Sequence, residues 1–261
     1  MNLKFNNSEG DMVLSKNFIL SISSYKRRVG MQKRYGKDGA VPTGDQMVDS
    51  RDLSLAYQPV SDNDTDYLDA VNEIIGFFRT DLTPFYLIDI DNNKRTEIIL
   101  KSATDEADAE GLEYRVGKNK LEFEMVDGHW EDEDETVVYS PTGGLADGDS
   151  IIINIPSYVE CYPIIKISPT ETNTDFTIRN LLTGAAFVLG SASFVVGTEF
   201  IIDSQLGTIY LDDGTTMTEM SSALADGSGF IKLIPGNNEI QYSSAFGEVD
   251  VEISYRERYA I

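Results

Sequence analysis

Along most of the chain, apolar residues recur at every second position, the spacing of strands that bury one face. In residues 51–60, Leu53, Leu55 and Tyr57 alternate with polar neighbours. In residues 114–126, Leu121, Phe123 and Met125 share one face, and Glu122 and Glu124 the other. Residues 12–25 open in the same style. One segment breaks the rule. Tyr67, Leu68, Val71, Ile74, Ile75 and Phe78 are spaced by three and four, which predicts a single amphipathic helix lying on a sheet. Asp64 or Thr65 can cap it, Asp66 and Asp69 suit the positive end of its dipole, and Thr83-Pro84 stops it.

From residue 150 onward the pattern is β throughout. Pro156 and Pro163 separate two strands, Leu182-Thr183-Gly184 turns one hairpin and Gly207 another, and residues 230–243 and 248–260 finish the chain. Short strands joined by Gly, Asn and Pro turns predict a sandwich. Alternation nominates Ile201, Ile209, Leu211, Leu233, Ile240, Val249, Val251 and Ile253 for its two facing layers. Pro235 and Gly236 suit the centre of a type II turn, and Asn237 and Asn238 tolerate the left-handed conformations that lead out of it. Their expected role is structural: to reverse the chain and hold the register of two strands.

Composition changes between the halves. Residues 127–150 hold five consecutive acids (131–135), the only tryptophan, the only histidine and several glycines. This shift marks a boundary, with one domain expected over 1–136 and a second over 137–261. His129 and Trp130 are read as part of an acidic linker, because no partner group stands at motif spacing. A chain of 261 residues with 41% apolar content suits two domains with real cores. No apolar run is long enough for a transmembrane helix, so no membrane insertion is expected. The first residues lack a basic patch followed by an apolar core, which points to cytosolic synthesis.

Candidate chemistry is sparse. One cysteine, Cys161, permits neither an internal disulfide nor a thiolate cluster. The single histidine is not accompanied by a G-x-S-x-G elbow. Asp89, Asp91 and Asn93 imitate the start of an EF-hand loop, but Lys94 stands where glycine is required and Leu100 where the bidentate glutamate belongs. A turn at Asp91-Asn92-Asn93-Lys94 accounts for the same residues. No catalytic residue, metal or cofactor is therefore expected, although 44 acids leave carboxylate pairs open.

Net charge is −23, which repels nucleic acid rather than gripping its phosphates. Against this background stands one basic cluster: Lys26, Arg27, Arg28, Lys33, Arg34 and Lys37. Glycines interrupt it, which favours an extended hairpin arm over a helix. Three readings are open: a solvated loop, a nucleic-acid patch, or an arm that docks on an acidic neighbouring subunit. The last makes Arg27, Arg28, Lys33 and Arg34 candidates for an oligomer interface.

The order of motifs in the second half resembles the C-terminal domain of siphophage distal tail proteins. A Pro-containing strand at 162–168 is followed by an IRN-x-x-TG hairpin at 178–184 and an IID-x-x-x-G-x-I hairpin at 201–209. A Phe-to-PG-x-N turn at 230–238 and a final VxISYRERY strand at 251–259 complete the series. The first half fits too, with a helix that ends before an L-x-P-F/Y strand and hairpin. The resemblance implies a mainly β protein: an N-terminal β-rich belt domain with one amphipathic helix, and a C-terminal galectin-like β-sandwich. It implies a structural virion protein at the tail tip, a homo-hexameric ring acting as the distal hub. Its partners would be the major tail tube protein, a tail-associated fibre or lysin protein, and receptor-binding proteins. DNA would cross the channel without specific binding, and no catalytic residue is implied. An alternative is a carbohydrate- or receptor-binding baseplate module, with Tyr158, Tyr162, Tyr210 or Tyr255 replacing the tryptophan of a sugar site. A third is a glycosidase with two facing carboxylates on the sandwich.

Overall fold

The structure is a computed structural model. It describes residues 3–13, 18–22, 27–28, 31–33, 40–42, 47–48, 51–57, 60–61, 69, 72–74, 76–78, 84–106, 115–116, 118–126, 128–172, 175–190, 195–245 and 247–259. The chain divides into two compact units, Met1–Glu133 and Asp134–Ala260.

The first unit runs through β1 (Leu3–Asn7), β2 (Gly10–Val13), β3 (Phe18–Ile22), β4 (Arg27–Arg28), β5 (Met31–Lys33), β6 (Ala40–Pro42) and β7 (Met47–Val48). It continues through β8 (Arg51–Tyr57), β9 (Val60–Ser61), β10 (Phe85–Asp89), β11 (Lys94–Glu106), β12 (Arg115–Val116), β13 (Lys118–Met125) and β14 (Trp130–Asp132). Its main sheet has the order β2-β1-β10-β11-β13-β8-β3, with β14 also paired to β11. Alternation sends Leu3 and Phe5, Leu53 and Leu55, Phe85 and Leu87, and Leu121, Phe123 and Met125 into one core. Residues 72–74 and 76–77 are helical. The stripe expected there supplies Ile74 and, just past the helix, Phe78 to that core. The Phe78 ring sits 4.9 Å from Phe5, 5.4 Å from Phe85 and 5.0 Å from Phe123. It joins three strands through edge and tilted aromatic contacts.

The second unit contains β15 (Thr136–Tyr139), β16 (Ser150–Ile155), β17 (Ile164–Pro169), β18 (Phe176–Asn180), β19 (Ala186–Leu189) and β20 (Glu199–Asp203). Then follow β21 (Thr208–Asp212), β22 (Met217–Glu219), β23 (Gly236–Ser243), β24 (Val249–Tyr255) and β25 (Arg258–Tyr259). A six-stranded sheet, β15-β24-β17-β20-β21-β22, packs on a four-stranded one, β16-β23-β18-β19. Side chains from both sheets form one cluster, and Phe176 of one meets Phe200 of the other edge-on at 5.7 Å. This is the sandwich the turn spacing predicts.

Two expectations shift. Ile201 is only half-buried, and its neighbour Ile202 faces the core. The hairpin register pairs Ile202 with Ile209 and Ile201 with Tyr210, so Ile202 shares the inner face with Ile209. A one-residue slip in a period of two exchanges faces, and only the turn fixes which register applies. Leu211 is likewise only partly buried against the core, whereas Leu233, Ile240, Val249, Val251 and Ile253 are fully inside.

Candidate assembly site

Arg27, Arg28 and Lys33 of the basic cluster lie on a ribbon of short antiparallel pairs, and Lys26, Arg34 and Lys37 lie outside the described residues. Arg27 and Arg28 pair with Val48 and Met47, and Met31, Gln32 and Lys33 pair with Pro42, Val41 and Ala40. The pairs β4–β7 and β5–β6 form two separate two-stranded sheets outside the main sheet. Local sequence explains the ribbon, since Gly30, Gly36 and Gly39 disfavour helix and Val29, Met31 and Val41 suit strands. The side chains of Arg27, Arg28 and Lys33, and all of Arg34, lie outside the described residues.

The acidic stretch is anchored rather than loose. Trp130, expected in a linker, is buried in the first unit's core at 3% exposure. Among the acids after it, Glu131 meets Arg95 at 2.8 Å, Asp132 meets Lys94, Glu133 meets Lys4 at 3.3 Å and Glu135 meets Arg256 at 3.1 Å. Arg95 also covers the Tyr86 ring at 4.4 Å. Burial tends to lower the pKa of Lys4, but its bonds to Asp11 and Glu133 outweigh this and raise it. His129 is half-buried, and its backbone carbonyl accepts from Thr96 Oγ1 at 2.9 Å. The run of acids resembles a solvated linker in sequence because its cations come from distant strands.

The EF-hand imitation resolves as a turn. The Asp89 carboxylate accepts from the Asp91 amide at 3.1 Å and from Asn92 Nδ2 at 2.7 Å. Asn93 takes φ of 53°, the left-handed conformation that asparagine tolerates. The Asp89 and Asn92 side chains and the Asp91 and Asn93 backbone are thus engaged in reversing β10 into β11.

In the second unit, Gly236 has φ of 99° and opens β23. Asn237 and Asn238 lie within that strand, opposite Asn154 and Ile153 of β16. The segment before the bend is not a regular strand. Only Leu233 pairs, exchanging two backbone bonds with Cys161 at 2.8 and 2.9 Å. Asn238 takes the place of a strand partner: its Oδ1 accepts from the Ile234 amide at 2.9 Å and its Nδ2 donates to the Ile234 carbonyl at 2.7 Å. Asn180 Nδ2 donates to the same Oδ1 at 2.9 Å and to the Lys232 carbonyl at 2.9 Å.

Beside this bend, Tyr162 lies between Lys232 at 5.3 Å and Arg258 at 5.1 Å from its ring centre. Its hydroxyl donates to Glu160 Oε1 at 2.6 Å, as does Lys232 Nζ at 2.9 Å. Burial tends to raise the Glu160 carboxyl, but the Tyr162 and Lys232 bonds outweigh it and hold the group below its ordinary value. Burial pushes the Cys161 thiol up, which keeps it protonated and unreactive. Of the tyrosines considered for a sugar site, Tyr255 is buried, Tyr162 and Tyr210 are half-buried, and Tyr158 is exposed. Tyr139, on edge strand β15, is also exposed; its place at the sheet edge is fixed by pairing that sequence spacing does not reveal.

Two family descriptions match the chain. Residues 157–259 match the siphovirus-type tail component, C-terminal domain, and residues 13–125 match the phage tail protein RIFT-related domain. No curated protein gives a significant match. Among solved structures, the fold is similar to the Dit protein of phage SPP1, described as a paradigm of hub adsorption apparatus in Gram-positive infecting phages. That likeness has a TM-score of 0.70 at 16% identity, over 98% of this chain and 99% of that one. It is also similar to a chain of the phage P2 baseplate in its activated conformation with Ca, with a TM-score of 0.52 at 12% identity over 100% and 99%. The same baseplate with Sr gives a TM-score of 0.52 at 14% identity over 100% and 99%.

Proposed function

We propose that this chain, which belongs to the siphophage distal tail proteins, closes head-to-tail into a six-membered ring that forms the distal hub of the tail. The ring joins the tail tube on one side to the tail-tip fibre or lysin protein and receptor-binding proteins on the other. The unit before the acidic stretch builds the ring and the sandwich projects from it. DNA passes through the centre.

The observation that carries this reading is the basic ribbon. Its pairs β4–β7 and β5–β6 form small sheets of their own, and its sequence gathers cations on a chain of net charge −23. Ring closure needs two different complementary patches on each copy. A cationic projection and an acidic body supply that asymmetry, and opposite charge selects one orientation of approach. The same acidity suits a DNA conduit, because a wall that bound phosphate would retard passage.

Neutralising Arg27, Arg28 and Arg34 together tests the reading. Native mass spectrometry is expected to show rings in the parent chain and a shift toward single copies in the triple variant. Rings of undiminished yield in that variant would remove the arm from the interface.

A further inference from the structure

We infer that a groove between β2 and the helix of the first unit receives the basic arm of the next copy. This rests on the head-to-tail reading above and names the surface that the arm meets. Strand β2 ends the main sheet: β1 pairs with one side of it, and among the described residues no strand pairs with the other. Helical residues 72–74 and 76–77 lie beside it, and Asn7 Nδ2 donates to the Phe77 carbonyl at 3.0 Å, tying the helix to the β1–β2 turn. Between them is a cavity of about 500 Å³. Met12, Val13 and Phe77 give it an apolar lining, and Gly76 leaves it open, since a Cβ there would have nothing within 4 Å. Val13 is 68% exposed, an apolar residue on an unpaired edge. Glu9 and Glu73 also line the groove, and neither has an ion-pair partner among the described residues. Asp11, by contrast, is engaged by Lys4 at 3.2 Å.

An open strand edge, an apolar lining and two carboxylates without an ion-pair partner among the described residues fit an extended basic segment added edge-on. The chain has one such segment, the ribbon carrying Arg27, Arg28 and Lys33 with Val29 and Met31 between them. The head-to-tail reading takes that segment from a neighbour: β3 and β8 stand at one end of the strand order and β2 at the other. Copies joined arm-to-groove use two different patches each, the heterologous contact that closes into a ring. The Glu9 and Glu73 carboxylates then meet the arginines, and Val13 is covered.

The test uses the full chain and sedimentation velocity at several concentrations. Gly76→Leu fills the groove at a position with room for the side chain, and Glu9→Lys with Glu73→Lys reverses its charge. Each is expected to weaken ring assembly by roughly ten-fold or more while the fluorescence melt of Trp130 stays in place. Adding Arg27→Glu and Arg28→Glu to the Glu9→Lys, Glu73→Lys chain should restore rings. Mixing Gly76→Leu with an Arg27→Glu, Arg28→Glu chain leaves one working arm and one working groove, so the expected product is a species of two copies. Wild-type rings with equally stable Gly76→Leu rings would overturn the groove alone, including the case in which another protein's strand fills it. A wild-type chain that stays single at all concentrations would overturn both the groove and the head-to-tail reading.

Discussion

Asn238 is a polar side chain with no exposed surface in a β-sandwich, so each of its bonds replaces one that water would make. Asn238→Leu would strand the Ile234 amide and carbonyl and half of the Asn180 amide, at a cost of about 2–4 kcal/mol. Asn180→Leu breaks the same network. The double variant should therefore lose less than the two single losses combined, which urea unfolding of all three chains would measure. At Gly236 the strain is purely backbone: φ is 99° and no atom lies within 4 Å of an added Cβ. Gly236→Val should cost about 1–3 kcal/mol, and an unchanged unfolding midpoint would contradict the turn assignment. Glu160 adds a pH signature. Its lowered pKa means that the stabilisation is present above the ordinary glutamate range and fades as pH falls through the folded value. Glu160→Gln should lower the melting temperature at pH 7 by the equivalent of about 0.5–1 kcal/mol, with the gap closing as pH falls through the folded value. Pro235, Gly236 and the two asparagines announce a turn in the sequence, but the partner Asn180 is invisible there, because pairing with β18 brings it close only in the folded chain.

At the scale of elements, period-two and period-three-to-four patterns were readable because burial of one face imposes them directly. Leu121, Phe123, Met125 and Phe78 are buried as their spacing requires and Ile74 packs against the same core, whereas Tyr67, Leu68, Val71 and Ile75 of the stripe lie outside the described residues. What spacing could not supply was register and long-range pairing. Ile202 displaced Ile201 because a turn fixed the hairpin, and Trp130 joined a core because β14 pairs with β11 across a long separation. The arm's ribbon was foreseeable from its glycines. The groove was not, since it combines residues near 10 with residues near 75. Phe78 touches four aromatic rings, and Phe78→Ala should destabilise the first unit by about 3–5 kcal/mol. Trp130 is the only tryptophan and lies in that same core, so its fluorescence reports this unit selectively. The variant should move the fluorescence transition, and amide exchange in β17 and β24 of the sandwich should stay unchanged. Equal loss of protection in both units would show that Phe78 acts more widely than its contacts indicate.

At the scale of the whole molecule, two β units carry a large negative charge and one cationic ribbon, a distribution suited to self-recognition around a passage for DNA. Duplex DNA should show no retention by the purified protein in a mobility-shift assay at about 0.15 M salt, where exposed charges still act over roughly 8 Å. A retained complex would turn the basic cluster into a nucleic-acid patch. The most direct test of the account is electron microscopy of the purified full-length chain. The account predicts annular particles of six copies around an open channel. A field of single subunits at high concentration, with no annular species, would contradict it.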